Sequence, residues 1–217
     1  MRKYLFPIML VVVLAAIVNH ICTSAQVTAI ATDGQWQFKG IGLRTFPWAK
    51  TDLIKDKKLA LATALAYRYR EDWRKVADLA AQKRTPVRWG DSTENTNAYA
   101  WTIPDPNHPA IEIASDLQKA SLASLAALIA HEAHHAAYHQ PCLVRTCMKE
   151  LIDEETAAFS WTAGVYESIP DRFKGKTELD QFNKEIVTRW HQKTLLEYVI
   201  LSTGYQKQFF GEELAVR

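Results

Sequence analysis

Few properties of this 217-residue chain are extreme, and what it lacks narrows the field first. Its 26 Lys and Arg are nearly balanced by 24 Asp and Glu, for a formal net charge of +2. That leaves no global basic footprint for nucleic acid. Cysteine is scarce at 3 residues, and there is no internal repeat or low-complexity tract. The one long apolar run, Tyr4 to Val18, is shorter than the ~20 residues of a membrane span and contains Pro7. What is present is ordinary globular material: 48% apolar and 23% charged residues, with 7 Trp, 8 Tyr and 8 Phe for a bulky core. The length suits one domain.

The N-terminus reads as a leader. Met1-Arg2-Lys3 is basic, the apolar run follows, Asn19-His20 closes it, and Thr23-Ser24-Ala25 supplies small residues for cleavage before Gln26. Residues 1–25 are therefore expected to be a secretory signal peptide, with an uncleaved N-terminal anchor as the alternative. Only in the second case would a membrane be a partner. A lipid anchor on Cys22 is disfavoured by the bulky Ile21 before it. Residues 26–217 form the single expected domain, secreted or periplasmic. Losing Arg2 and Lys3 and no acids takes the net charge from +2 to 0. Export also leaves Cys142 and Cys147, for which a disulfide is the expected reading in an oxidising compartment. A four-residue gap is long for a pair of thiolate metal ligands.

The chemistry concentrates in Ala130-His131-Glu132-Ala133-His134-His135, which contains His-Glu-x-x-His. On a helix, His131 and His135 lie on one face, about 40° apart, so two imidazoles can grip one metal ion. Glu132 sits about 80° from the middle of that pair, beside an ion rather than beneath it. Neutral imidazole is a good zinc ligand, zinc lowers the pKa of a water to about 7, and a neighbouring carboxylate can act as general base. The preceding Ser121 to Ala130 is built of good helix formers, apolar nearly all round. A buried helix carrying three His and one Glu in five residues needs something to pair them. His134 and His139 flank the pair as cleft-lining or solvent-exposed groups.

A catalytic zinc usually has three protein ligands. A third His in the His-Glu-x-x-His-x-x-Gly-x-x-His spacing is ruled out, because the two diagnostic positions hold Tyr138 and Pro141. Downstream, Lys149 to Phe159 offers Glu150, Glu154 and Glu155 on an expected helix. Here the chain resembles the gluzincin branch of zinc metallopeptidases, over roughly Gln118 to Val165. In that branch a Glu on a second helix is the third ligand. Aminopeptidase N-like members have the 18-residue gap that separates His135 from Glu154 here, with a small residue, here Ala157, three positions after the Glu. The resemblance implies zinc on His131, His135 and Glu154, with Glu155 and Glu150 as the alternatives, and Glu132 as catalytic base. The chain departs from thermolysin-like members at Ala158, where an Asp would orient a zinc-bound His. A group to orient the zinc-bound His must then come from Asp153, Glu155 or a backbone carbonyl. A Gly-x-Met-x-Asn aminopeptidase signature is absent.

For the rest, Val27 to Lys50 reads as irregular or weakly extended. Thr51 caps a long helix from Asp52 to about Lys83. Strands are expected at Pro86–Trp89, Asn97–Ile103 and Ala110–Ala114, the last two able to form a hairpin. In zincin-type peptidases an edge strand lines the cleft, so 97–103 or 110–114 could hold a peptide by strand addition. The metal helix runs from Leu117 or Leu122 to His139, a Glu-bearing helix spans Glu150–Tyr166, and Thr177 caps a last helix to about Leu201. Tyr166, His191, Tyr198 and Tyr205 are the candidates to stabilise an oxyanion. The expected whole is a mainly α protein with a small sheet (α+β). It is expected to be a zinc metallopeptidase acting on peptides or proteins through one Zn2+. The alternatives are a non-catalytic zinc-binding or interaction protein on a zincin scaffold, and a helical envelope protein whose histidines only pack.

Overall fold

The computed structural model describes residues 27–90, 98–103, 105, 109–138 and 148–202. The expected leader, the expected Cys142–Cys147 disulfide, His139 and Tyr205 lie outside them. Among the described residues the fold is mainly α, as the sequence implies, with two small sheets where one was expected. No helix among the described residues is long and apolar enough to cross a membrane.

The stretch read as irregular from sequence is a β-hairpin of β1 (Thr28–Thr32) and β2 (Gln35–Lys39). Asp33 and Gly34, both at positive φ (50° and 73°), make the two-residue turn that matches the strands' twist. Trp36 and Phe38 are buried while Gln35, Gln37 and Lys39 are exposed, a period of two too short to stand out among the flanking glycines.

The single long helix expected over 52–83 is two. Leu53 and Ile54 are buried and tied to the sheet, with the Val87 amide donating to the Leu53 carbonyl at 2.9 Å, so helix formation starts later. Asp56, rather than Thr51, caps α1 (Lys57–Tyr69), its Oδ1 accepting from the Lys58 and Leu59 amides at 2.8 and 3.0 Å. After a break, α2 (Arg74–Gln82) follows. The break brings Trp73 to full burial, 6.3 Å from the Trp48 ring.

The second sheet has β5 (Ala110–Ala114) in the centre. It pairs in parallel with β3 (Val87–Gly90) and antiparallel with β4 (Ala100–Ile103). Among the described residues the sheet therefore ends on β4 on one side, and 110–114 lies in its centre. Ile111 and Ile113 point from β5 into the core, fully buried.

A 3-10 turn (Ser115–Lys119) leads into α3 (Leu122–Tyr138), which touches α1, α2, β4 and β5. It also touches α4 (Met148–Ser168) and α5 (Glu178–Gln192). Alanines at 123, 126, 127, 130, 133 and 136 let these neighbours close round it, and Leu125 and Ile129 are fully buried, each worth roughly 2 kcal/mol. Thr177 caps α5 in a reciprocal capping box with Asp180. The last helix also divides. Lys193 takes a left-handed conformation (φ 61°), and the Thr194 amide reaches back to the Arg189 carbonyl at 2.9 Å. The turn swings α6 (Leu195–Leu201) so that Leu195 and Val199 join Phe159, Ala163 and Ile186 in a second apolar cluster.

Candidate metal centre

The two histidines of α3 face α4. Their Nε2 atoms are 3.2 Å apart. Glu155 of α4 closes the triangle, Oε2 at 3.5 Å from His131 Nε2 and Oε1 at 3.6 Å from His135 Nε2. Ligand atoms at the ~2.0–2.1 Å of a zinc bond, set tetrahedrally, are about 3.3 Å from one another. The three measured separations match that spacing. These three residues are the group among the described residues whose nitrogen and oxygen atoms lie close enough to share one ion.

Glu154, the sequence choice for third ligand, meets the other side of the same ring. Its Oε1 lies 2.7 Å from His135 Nδ1. Consecutive helical residues point about 100° apart, so one of the neighbours faces the Nε2 pair and the other the outer nitrogen. The register of α4 against α3 gives the inner position to Glu155. Glu150 is exposed, and Asp153 pairs in solvent with Lys149 at 2.6 Å.

Each ring is also held from behind. His131 Nδ1 is 3.2 Å from Thr162 Oγ1, which donates to the Ala158 carbonyl at 3.2 Å. A ligand bond at Nε2 would leave the proton on Nδ1, where His131 would donate to Thr162 and His135 to Glu154. Such partners fix tautomer and ring orientation. Phe159 packs edge-on to His131, centroids 4.6 Å apart. All of this outer support, 154, 159 and 162, comes from α4.

The electrostatics fit a cation. Burial works against the Glu155 carboxylate, yet the facing His131 and His135 rings, 3.5 and 3.6 Å away, hold its pKa well below the usual range. Burial likewise opposes charge on His135, but Glu154 and Glu155 outweigh it and raise that ring's pKa. His134, one residue off the face, is pushed down to about 4 by burial and by His135, so it is neutral near pH 7. Its ring lies 5.1 Å from that of Tyr138.

Glu132 is 6% exposed. Its Oε2 accepts from Thr102 Oγ1 of β4 at 2.8 Å, and the same hydroxyl lies 3.0 Å from the Glu132 carbonyl. Of the oxyanion candidates, Tyr166 is buried, donating to Asp180 at 3.2 Å. His191 is exposed and paired with Glu167 at 2.7 Å. Tyr198 packs edge-on to Phe159, centroids 5.4 Å apart, one ring removed from His131. Thr102 and Thr162 carry no sequence signal. A threonine in a strand or a helix is ordinary, and only packing reveals its partner.

The chain matches no family model, no curated protein and no solved structure.

Proposed function

We propose that this protein is a metal-dependent peptidase, with His131, His135 and Glu155 as ligands and Glu132 as general base. The observation that carries the reading is the triangle of Nε2, Nε2 and carboxylate oxygen at tetrahedral edge lengths, with a buried carboxylate next to it in sequence. Zinc, when bound to such a set, supplies Lewis-acid charge that acidifies a water and polarises a carbonyl. The chain's own groups do the rest. Glu132 accepts a proton from the attacking water and returns it to the departing amine. Glu154 and Thr162 keep the two rings in the tautomer that leaves Nε2 free. The edge strand β4, linked to Glu132 through Thr102, suits an extended peptide laid alongside it.

Metal analysis of the purified protein, followed by peptide hydrolysis with Glu132→Gln and His131→Ala variants, tests this. Glu132→Gln is expected to keep the metal and lose hydrolysis by about 100-fold or more. His131→Ala is expected to lose the metal. A wild-type protein that takes up no zinc, or a Glu132→Gln variant with unchanged hydrolysis, overturns the reading. Zinc uptake without any hydrolysis would favour a non-catalytic metal protein instead.

A further inference from the structure

Resting on the peptidase reading, we infer that Thr102 is a positioning residue for the general base, holding the Glu132 carboxylate in register with the edge strand. The hydroxyl has one proton and two nearby acceptors, Glu132 Oε2 at 2.8 Å and the Glu132 carbonyl at 3.0 Å. The carbonyl lies inside α3 and is already engaged by the helix, whereas a hydrogen bond to a carboxylate is the stronger kind. The proton therefore goes to Oε2. Oε1 is then the oxygen this role assigns to proton exchange with water.

The hydroxyl is itself fixed. Thr102 sits inside β4, opposite Ile111 of the central strand, between the pairs Trp101↔Glu112 and Ile103↔Ala110. A β-branched side chain has little freedom at χ1, so a rigid strand gives a rigid hydroxyl. Trp101 shows the strand's two-sidedness. It leaves no room over β3 at Gly90, where an added Cβ would come 2.7 Å from its ring, while Thr102 faces α3. A longer side chain at 102 would carry its polar atom past that position. The consequence is a direct mechanical link. The strand that a peptide would pair with is also the strand that sets the base, so a peptide's depth on β4 and the position of Oε1 are fixed by one residue.

Thr102→Val keeps shape and removes the hydroxyl, and Thr102→Ser keeps the hydroxyl. Thr102→Val is expected to lower kcat by about 10- to 100-fold with KM within about twofold and zinc affinity unchanged. Thr102→Ser is expected to recover most of the rate. Denaturant unfolding of the metal-free protein provides a readout apart from activity. Thr102→Val should lower the folding equilibrium constant about tenfold in the wild-type background and less than twofold with Glu132→Ala, because the contact is then already gone. A Thr102→Val enzyme at wild-type kcat overturns the inference, as does a Ser variant as slow as the Val variant, which would assign the effect to packing. Absence of coupling in unfolding overturns it too. A zinc-loaded wild type that hydrolyses no peptide removes the peptidase reading and this role with it, and the unfolding cycle then shows that the contact itself was sound.

Discussion

The carboxylate of Glu154 lies 2.7 Å from Nδ1 of His135, the ring nitrogen that does not face His131. A chain that places two glutamates in succession thus serves both nitrogens of one imidazole, Glu154 outside and Glu155 inside. Substitutions should separate the two. Glu154→Gln is expected to weaken zinc binding about 10- to 100-fold, the usual cost of a lost outer partner. Glu155→Gln is expected to weaken it by more. Competition against a chelator measures both. A larger loss at Glu154 would make it the ligand instead.

Zinc affinity should climb with pH. In the metal-free protein burial disfavours a charged His135, but the hydrogen bond to Glu154 and the nearby Glu155 carboxylate prevail and its pKa is raised. A folded pKa above the unfolded ~6.5 means that the charged ring's contribution to stability is complete below about pH 6.5 and is lost as pH rises through the raised value. A ligand ring must be neutral, so zinc displaces that proton and binds better across the same window. Titration of zinc affinity upward from about pH 6.5 checks this, together with the melting temperature of the metal-free protein, which should fall. A flat affinity would mean that His135 is already neutral.

Asp180 should be the costliest polar residue to alter outside the metal centre. It is fully buried, yet Oδ1 accepts from Ser121 at 2.6 Å, Ser124 at 2.7 Å, Gly175 at 3.0 Å and Tyr166 at 3.2 Å. Its Oδ2 accepts from the Thr177 hydroxyl at 2.6 Å and the Thr177 amide at 3.1 Å. The carboxylate thus knots the start of α3 to α4 and α5. Burial opposes its charge, but the hydrogen bonds from Ser121, Thr177 and Ser124 hold its pKa well below the usual range. Its stabilisation is present above about pH 4 and fades as pH falls through the depressed value. Asp180→Asn, which sets an amide against a ring of donors, is expected to cost about 3 kcal/mol in denaturant unfolding at neutral pH. A loss under about 1 kcal/mol would mean that the knot contributes little.

Lys83 holds the C-terminal end of α3. Its ammonium donates to the Ala136 and Ala137 carbonyls at 2.9 and 2.8 Å, in the last turn of α3, where carbonyls lack helical partners and cations are favoured. Lys83→Met should lower stability by about 1 kcal/mol and leave zinc affinity within a few-fold, measured by unfolding and chelator competition. A large loss of affinity would place the helix end in control of the site.

By itself the sequence determined the local facts: that a helix starting at 117 or 122 carries His131 and His135 on one face, that Thr177 opens another helix, and that strands lie within 97–103 and at 110–114. Each follows from periodicity, spacing or capping chemistry within about one to two helical turns. It could not locate the breaks after Tyr69 and at Lys193, because burying Trp73 and seating Leu195 and Val199 are gains made against distant residues. It pointed to Glu154, whereas the structure groups Glu155 with the two rings. One residue is about 100° of helix, and which side chain turns inward depends on how α4 is rotated against α3. Thr102 and Thr162 became visible only when strand and helices were packed, since a lone hydroxyl has no signature until its partner stands within about 3 Å.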